Sequence, residues 1–551
     1  MGLFGKIRKE KQLKKDLEIA TLENKIARKE VNTESMKAQK NIMRTIVDSG
    51  YSNGGASYTE TWSKKYNAES LSPKSDIEEN RKILRERTRD LAMNAPIATA
   101  AVTATNTSTI GPGLVVKPKI DYEYLGISRE EATEIERTIK REFALWAEST
   151  LCDVADQNNF YELQQIAFSD WLRNGEEFVL ILHEKPETGM PYGIKLRLIL
   201  ADRVCTPGAS NGDYDGIDEK TENGNKIMNG IEIDPKGRVV AYHISSTFPG
   251  EMGLEKQEWT RVEKRGKRTG NENILHIFNA ETAEQYRGVP FLAPIIETLK
   301  QTTRYTQAEI MAAITNAILA VFITTEDGEE LDTGYGGEDD ETDWGETTAT
   351  AQKENEITLG TGTIVTLKPG EKVQAVESAH PSGSYAEFLN TMISQIGAAL
   401  EISPEVLLKK FGQNFSASKG ALNESWRAFM KRRKWFISDF CQVVYEQWLS
   451  EAVAIGRVNA PGYFTDPMIK KAYANATWTG PAQGCLNPLQ EVNAASKRIE
   501  EGLSTREDEC AAINGSEYEE NVRTLLRENE QLAEVNRALE NNMEEKDNGK
   551  N

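Results

Sequence analysis

The sequence predicts an α+β fold, with strands concentrated in one region and long helices after it. Between residues 194 and 280, short runs rich in β-branched residues alternate with turn residues, as in "NGIEIDPKGRVVAYHIS". On both sides of this region, apolar residues recur at helical spacing. The chain has 551 residues, of which 38% are hydrophobic and 28% charged. This composition is typical of a globular protein with several domains.

Helices are predicted before the strand-rich region. A helix-rich block covers residues 75–104, where Ser75 can cap the first helix with Glu78 three residues later. Another helix is predicted over 129–149, and a further one ends near Gly175, where a buried strand begins.

Turn residues mark where strands begin and end. Gly-Pro-Gly at 111–113 directs the chain into a short β run. The tetrad Asp-Pro-Lys-Gly at 234–237 lies between two apolar runs and predicts a hairpin turn.

The longest helical pattern lies in "EQYRGVPFLAPIIETLKQTTRYTQAEIMAAITNAILAVFITT", residues 284–325. Pro290 suits the first turn, and the periodicity predicts a helix over 290–320, roughly 45 Å long. The segment lacks the glycine spacing of a phosphate-binding loop. Charged residues interrupt it, and no window of the chain has the eighteen uncharged apolar residues that suggest a membrane span. The sequence therefore predicts a structural strut.

After this helix, "AVFITT" predicts a strand, and the acidic, glycine-rich insert at 326–356 predicts a mobile segment. A hairpin is predicted around residues 368–370 and a second helix over 384–401. The stretch "ISPEVLLKKFGQNFSASKG" is predicted to be a loop, and a third helix runs over 421–455.

The C-terminal block predicts helices with a short heptad pattern. Gly502 suits a helix C-terminus, and Ser504 or Thr505 with Asp508 can cap the next helix. Two interpretations of the heptads remain open: an amphipathic helix packed on its own subunit, or one that associates with neighbours. The seam consists of leucines seven residues apart and a more polar companion row: Leu525, Leu532, Leu539; Val522, Asn529, Asn536.

Charge and composition exclude several functions. The net charge of −20 argues against a sequence-specific DNA-binding protein, because such proteins neutralise phosphates with basic residues. The five scattered cysteines include no CxxC pair, which favours a reducing, cytoplasmic setting. Four histidines supply few residues for catalytic triads or metal sites. The N-terminus lacks the apolar stretch of a secretory signal, and residues 1–44 predict a basic amphipathic arm.

Two local patterns are candidate binding features. The segment "NGDYDGIDEKTE" matches the spacing of a calcium loop, although its flanks are not helical and an acidic surface loop is the default interpretation. Its candidate ligands are Asn211, Asp213, Asp215 and Glu222. The run "MKRRKWF" at 430–436 predicts a solvated helix face with Trp435 and Phe436 in the core, and a phosphate or acidic-partner contact is the alternative.

Several motifs together resemble the lambda-like family of tailed-bacteriophage portal proteins. The resemblance rests on "LRERTRDLAMNAPIATAAVTATNTSTIGPGLVVKP", "FYELQQIAFSDWLRNGEEFV", "LILADRVCTP", "YRGVPFLAPII" and "ATWTGPAQGCLNPLQEV", which occur in the family's order from about residue 50 to 515. Where the family often has Val-Gly-x-Gly, this chain has Ile110-Gly111-Pro112-Gly113. The acidic insert and the terminal heptads are particular to this chain.

The resemblance implies a non-enzymatic subunit of a ring, usually of twelve copies, at one capsid vertex. Double-stranded DNA would pass through its centre without sequence specificity during packaging and ejection. The implied partners are further copies of the chain, the major capsid protein, the terminase large subunit and a head-tail adaptor. The resemblance implies no cofactor and no membrane, with assembly in the host cytoplasm and a place in the virion.

The resemblance also implies a portal fold with an α/β wing, long stem helices, a small β-containing clip and a helical crown. Within the tunnel loop, the candidates for proximity to DNA are Lys409, Lys410, Asn414 and Lys419. The implied divisions are an N-terminal arm (1–74), the first part of the wing (75–288), stem helix 1 (289–320), the clip (321–380), stem helix 2 (384–402), the tunnel loop (403–419), a wing-crossing helix with the rest of the wing (420–485), and the crown and tail (486–551).

Two other classes stay open from the residues alone. An acidic, non-channel scaffold or adaptor protein of the phage head would explain the long helices and the insert equally well. A packaging ATPase or nuclease is disfavoured, because the chain has no P-loop and few histidines.

Overall fold

The computed structural model describes nine stretches of the chain. The chain divides into two compact units, Met1–Ser72 and Pro73–Asn551, and the elements below belong to the second. The predicted N-terminal arm (1–44) and the acidic insert (326–356) lie outside the described residues. The described residues are 70–208, 219–221, 223–249, 256–318, 322–325, 371–374, 385–411, 415–484 and 487–548.

The helices before the main sheets follow the predicted pattern closely. Ser128 and Asn159 each cap a helix through reciprocal bonds with a glutamate three residues later, which satisfies backbone N–H groups at the helix start. The bounds in chain order are α1 Pro73–Asp76, α2 Arg81–Asn94, α3 Pro96–Thr109, α4 Tyr122–Leu125, α5 Arg129–Ala147 and α6 Phe160–Asn174.

The predicted cap at Ser75 is wrong. Ser75 lies inside the single turn α1, and α2 begins only at Arg81, after a 3₁₀ turn over Glu78–Asn80. Glu78 cannot complete a capping box because its carboxylate is buried and occupied elsewhere. It accepts hydrogen bonds from Asn229 Nδ2 at 2.5 Å and from the Tyr286 backbone N–H at 3.2 Å.

The strands form antiparallel ladders, which together with the helices confirms the α+β prediction. One sheet has the order β3-β2-β9 and a second the order β4-β5-β6-β7-β8, while β1 pairs with β12 and β10 with β11. The predicted hairpin turn at 234–237 is confirmed: the Asp234 N–H donates to the Arg238 carbonyl at 2.9 Å. The bounds are β1 Val115–Pro118, β2 Glu176–His183, β3 Ile194–Ile199, β4 Glu219–Lys220, β5 Lys226–Met228, β6 Ile231–Ile233, β7 Val239–Ser245, β8 Trp259–Glu263, β9 Ile274–Phe278, β10 Phe322–Thr325, β11 Glu371–Gln374 and β12 Ala476–Thr479.

Two apolar clusters lie on opposite faces of strand β2. Val179 and Ile181 face the larger cluster, which includes the helices, whereas Phe178 faces the smaller cluster between the two main sheets. This follows from the alternation of side chains along a strand. Phe143 is central in the larger cluster, with its ring centroid 4.9 Å from Trp448 and 5.7 Å from Phe160, both in edge-to-face geometry.

The first long helix, α7, spans Ile296–Ile318 and is therefore shorter than the predicted 290–320. Pro290 does not lie in its first turn. The Phe291 N–H donates to the Leu172 carbonyl at 3.0 Å, and the Gly288 N–H donates to the Glu176 carboxylate at 3.0 Å. These contacts hold the segment outside the helix, which begins only after a 3₁₀ turn over Ala293–Ile295.

The remaining helices include one long continuous run. Helix α10 passes through a π-helical turn at Ile437–Cys441 directly into α11. The predicted C-terminal signals are confirmed, because Gly502 has φ +70° and Thr505 accepts from the Asp508 N–H at 3.1 Å. The bounds are α8 Tyr385–Leu400, α9 Pro404–Leu408, α10 Phe415–Phe436, α11 Gln442–Ala454, α12 Pro467–Ala474, α13 Pro488–Glu500, α14 Arg506–Asn514 and α15 Tyr518–Asn548.

Strands β10 and β11 pair antiparallel, from Phe322 opposite Gln374 to Thr325 opposite Glu371. The strand predicted in "AVFITT" is thereby confirmed. The predicted hairpin around 368–370 lies outside the described residues.

Two glycines let the chain leading into α7 cross the end of α6 at close range. Gly175 ends α6 with φ +85°, and a Cβ there would lie 2.4 Å from the Val289 carbonyl carbon. A Cβ on Gly288 would lie 2.0 Å from the Gly175 carbonyl oxygen. Both are backbone clashes that no side-chain rotation relieves.

We expect Gly175→Ala to destabilise the protein by about 2 kcal/mol or more, because it combines left-handed strain with a backbone clash. Gly126→Ala is the matched control: Gly126 has φ +66°, but a Cβ added there would meet no atom within 4 Å. It should cost only about 1 kcal/mol. Thermal unfolding of both variants measures the difference. Equal losses would show that the crossing tolerates the extra carbon.

Candidate functional site

The segment predicted as the tunnel loop, 403–419, is only partly a loop. Residues Pro404–Leu408 form the short helix α9, and α10 begins at Phe415. Apolar periodicity does not reveal α9, because five residues are too few to repeat. The available signal was Pro404 itself, since proline is favourable at a first helical position. Asn414 lies outside the described residues.

The base of this segment is firmly held. The chain turns at Glu401, which has φ +58°, and the Ile402 N–H donates to the Gly397 carbonyl at 2.9 Å. The Ser403 N–H donates to Ser425 Oγ at 2.8 Å, and Leu407 is buried. The base therefore packs against α8 and α10.

The tip of the segment is exposed. Every residue from Leu408 to Phe411 is exposed, and Lys409 adopts the left-handed conformation with φ +52°. The Lys410 N–H returns to the Glu405 carbonyl at 3.0 Å, which closes the turn. Within the described residues, neither lysine side chain forms an ion pair. The segment thus presents two adjacent cations and two apolar side chains, Leu408 and Phe411, to solvent.

Lys419 does not belong to this tip. It lies on the first turns of α10, and its Nζ contacts Glu491 Oε1 of α13 at 2.6 Å. The two side chains are 39% and 22% exposed. The contact joins the start of α10 to the C-terminal helices, beside a second pair in which Arg498 contacts Glu509 through two hydrogen bonds. The structure therefore separates Lys419 from Lys409 and Lys410.

The basic run "MKRRKWF" is neither a solvated face nor a phosphate contact at its two arginines. Arg433 is buried and donates to the carbonyls of Ser108, Thr109 and Pro481, each at 2.8 Å. Arg432 donates to the Leu400 carbonyl at 3.1 Å and to Glu401 at 2.9 Å. Each guanidinium thus satisfies carbonyls at the C-terminal end of a helix, α3 or α8, where cations are favoured. The expectation that Phe436 lies in the core is confirmed.

The candidate cation ligands Asn211, Asp213, Asp215 and Glu222 lie outside the described residues. Among the residues that the structure describes, no group of three or more histidine, cysteine, aspartate or glutamate side chains could hold a metal ion. In the same residues, no helix is long and apolar enough to cross a membrane.

The most strongly charged buried site surrounds Glu176, the first residue of β2. Arg287 is fully buried and contacts Glu176 with Nε at 2.8 Å and Nη2 at 2.6 Å. Its remaining N–H groups donate to the carbonyls of Ala201, Val204 and Asn229. This guanidinium therefore has a partner in every direction, which is the condition under which a buried ion pair is tolerated.

Further residues complete this cluster, which we call the Glu176 centre. Arg85 of α2 contacts Glu176 at 2.8 Å and Asp202 at 2.9 Å, and Arg89 also contacts Asp202. His276 of β9 lies 3.0 Å from Glu176 Oε2, with its ring stacked between those of Phe178 and Phe278. The centre thus links α2, the β3-β2-β9 sheet and the segment that leads into α7.

Adjacent carboxyls on β2 have opposite pKa shifts. Burial acts to raise the pKa of Glu176, but Arg287, His276 and Arg85 outweigh it, and the pKa falls well below the usual value. Glu177 faces the other side of the strand, where burial and the nearby Asp170 raise its pKa well above the usual value. Burial also raises the pKa of Asp170 to about 6. For His276, burial lowers the pKa to about 4.

Sequence reasoning does not predict the Glu176 centre. Arg287 stands in the Arg-Gly-Val-Pro turn, where the sequence raises only the question of phosphate binding. An arginine beside a glycine, set between two apolar segments, is the available signal. Its partner Glu176 lies 111 residues away, and Arg85 lies 91 residues from that same carboxylate, so no local spacing joins them.

Comparisons with known proteins agree with the family suggested by the motifs. The sequence model of a family described as "Phage portal protein, lambda family" matches residues 59–433. The chain is 26% identical over 455 residues to portal protein B of Escherichia phage lambda, covering 80% of this chain and 82% of that protein. It is 26% identical over 455 residues to the portal protein of Escherichia phage N15, covering 80% and 83%. A solved structure, the neck of a native gene transfer agent particle, matches with a TM-score of 0.37 and 12% identity, covering 78% of this chain and 94% of that chain.

We expect His276 to lower the stability of the protein as the pH drops from about 6.5 toward 4. The unfolded imidazole takes up a proton near pH 6.5, whereas the buried ring does so only near pH 4. The unfolded state therefore binds more protons in this window, and acid favours it. Between pH 7 and pH 5, the unfolding midpoint of His276→Gln should therefore fall less, or rise more, than that of the parent protein.

The matched control is His183→Gln, whose ring is half exposed. It reports the general effect of exchanging a histidine for glutamine, against which the slope of His276→Gln is compared. Because both variants are compared with the same parent, contributions from Asp170 and Glu177 cancel. An unchanged slope for His276→Gln would contradict the assigned neutral state of the ring.

Proposed function

This chain belongs to the lambda family of phage portal proteins, and on that premise we propose that it assembles into a ring of twelve copies at one capsid vertex. DNA passes through the centre of the ring during packaging and ejection. The observation that carries the proposal is the family match over residues 59–433, more than half of the chain. The chain is accordingly a structural component of a phage particle.

In this proposal the two long helices are the stem. Helices α7 and α8 run beside each other, and the ring of Tyr305 in α7 contacts those of Tyr385 and Phe388 in α8 at centroid distances of 5.7 and 4.9 Å. At the far end of this pair, β10 and β11 form a two-stranded sheet, which suits a small clip. Ile310, Met311 and Ile314 of α7 remain exposed in the single chain and suit contact with the neighbouring subunit.

In the same proposal, the order of the elements along the chain assigns the wing and the crown. The β3-β2-β9 and β4–β8 sheets with helices α2–α6 would form the wing, which α10 and α11 cross and β12 completes. Helices α13, α14 and α15 would form the crown. In this proposal the N-terminal arm precedes the wing, and the acidic insert belongs to the clip. Both segments lie outside the described residues.

We place the tip at Lys409 and Lys410 in the tunnel. Support comes from their exposure, from their lack of ion pairs within the described residues, and from the firmly held base below them. Lys419 is dropped from the DNA-proximal set because Glu491 engages it. A weakly cationic tip suits passage, because a contact repeated in every subunit would otherwise retain DNA.

The partners in this proposal are the major capsid protein, the terminase large subunit during packaging and a head-tail adaptor afterwards. Assembly takes place in the host cytoplasm. The subunit is structural and carries no catalytic role.

We expect the purified protein to form closed rings with a central hole about as wide as a DNA duplex in negative-stain images. Native mass spectrometry should give a particle of twelve times the 61.5 kDa subunit. A chain that stays monomeric at every salt concentration would refute the ring.

Charge reversal at the tip should separate assembly from DNA handling. We expect Lys409→Glu with Lys410→Glu to leave rings intact but to reduce packaging several-fold in a reconstituted assay, because two cations become phosphate-repelling anions. Lys236→Glu, in the exposed turn of the wing, is the control and should package normally. Loss of rings in the double variant would show that the segment serves assembly and lies elsewhere.

A further inference from the structure

An apolar groove lies where the start of α5 meets α4 and α12. Its volume is about 600 Å³. Helix α12 packs on α4, and the Asp121 N–H in front of α4 donates to the Ala472 carbonyl at 3.1 Å, so the walls of the groove are held together. All three helices contribute to the apolar lining, most of which is supplied by Tyr124, Leu125, Ile127, Ile135, Ile469 and Tyr473.

The floor of this groove belongs to the core of the subunit, but the chain leaves its outer surface uncovered. Leu125, Ile127 and Ile135 pack against the larger apolar cluster and remain partly exposed. Tyr124, at the rim, is 51% exposed. Single exposed apolar residues are common on protein surfaces, whereas several that line one concavity are typical of a binding site.

The groove is acidic along the α5 wall, because its charged lining residues are Glu130, Glu131 and Glu134, all exposed. A helix start favours acidic residues, and Glu131 completes a capping box with Ser128, which accounts for the first two. Glu134 lies one turn further on, at the spacing from Glu130 at which like charges repel. It contacts Arg137, but these side chains are 70% and 47% exposed, and such pairs contribute little. The wall therefore favours a cationic neighbour.

The composition of the lining favours a helical partner over an extended one. The lining residues lie in α4, α5, α12 and the loops beside them, and none belongs to a strand. An extended peptide gains affinity mainly by pairing with a strand edge, whereas an amphipathic helix needs an apolar groove that accepts side chains three, four and seven residues apart.

We propose that this groove docks an amphipathic helix of a partner protein, with lysines or arginines along one edge of its apolar face. The apolar side chains of that helix enter the groove, and its basic edge faces Glu130 and Glu134. Complementary charge of this kind speeds association and selects among partners more than it adds affinity. The groove shares no residue with the exposed tip or the long helices α7 and α8, so this surface is separate from the proposed channel.

Fluorescence anisotropy with the full-length protein tests the groove. The probe is a fluorescein-labelled peptide in which leucines recur every three or four residues and lysines fill the flank of the apolar face. It should bind, and the affinity should fall as salt is added, because salt screens exposed charges. The same peptide with glutamate in place of every lysine should not bind.

The acidic wall is tested by removing its charges. Glu130→Gln with Glu134→Gln should weaken binding about five-fold, the effect of losing two exposed ion pairs. The matched control is Glu530→Gln with Glu534→Gln, an exposed pair at the same spacing on α15, and it should leave the affinity unchanged.

The apolar lining is tested separately. Tyr124→Ser should weaken binding several-fold, because the peptide loses an aromatic contact at the rim. Phe464→Ser is the control, since Phe464 is 63% exposed but does not line the groove. Both residues are more than half exposed, so neither change should disturb folding.

Several outcomes would overturn the proposal. These are no binding in any form of the protein, or equal binding by the parent and both groove variants, which would show only general attraction to an acidic chain. Binding by unassembled subunits but not by rings would assign the groove to a neighbouring copy. Binding that appears only after deletion of residues 1–44 would assign it to the chain's own basic arm. None of these results bears on ring formation, so the proposed function would stand.

Discussion

The ion pair between Arg287 and Glu176 is the interaction on which the arrangement of the other elements depends. Desolvating two such groups costs several kcal/mol each, and only complete hydrogen bonding offsets that cost. Here the carboxylate accepts from two arginines, one histidine and the Gly288 N–H, while Arg287 also binds three carbonyls. Removing Glu176 would leave Arg287 as an uncompensated buried charge, and removing Arg287 would leave Glu176 with Arg85 as its one remaining arginine partner. The geometry therefore specifies one relative position for the sheets, α2 and the chain leading into α7.

That position matters because it fixes the base of α7, which further along packs on α8 through Tyr305. Leu299 is buried, whereas Ile310, Met311 and Ile314 further along are exposed in the single chain. The crossing of Gly175 and Gly288, the bond from Phe291 to Leu172 and the Glu176 centre all act within a few residues of that base. The Arg-Gly-Val-Pro segment thus fixes the start of the long helix against the antiparallel sheets.

Sequence periodicity and capping predicted most elements, because these signals are local. The helix ending at Gly175, the Asp234–Gly237 hairpin turn and the cap at Thr505 need only neighbouring residues. The errors have two causes, which are tertiary contacts and ambiguous local signals. Glu78 bonds to Asn229 instead of capping a helix, and the bonds of Gly288 and Phe291 delay the start of α7. The positions of Lys409 and Lys410 on an exposed tip could be predicted, whereas the pairing of Lys419 with a residue 72 positions away could not.

Contacts made by the basic residues near the tip determine how many unpaired cations this acidic chain exposes there. In the stretch that includes α9 and α10, Arg433 binds carbonyls, while Arg432 and Lys419 contact Glu401 and Glu491. Such internal contacts remove cations from the field that DNA would meet, because a paired charge attracts a distant phosphate far less than a free one. Lys419, Arg432 and Arg433 are thus engaged by other groups, whereas Lys409 and Lys410 at the tip are exposed and form no ion pair among the described residues. If the tip lies in the tunnel, as we propose, the relevant quantity for passage of DNA is the number of unpaired cations at the tip, which the net charge of −20 does not reveal.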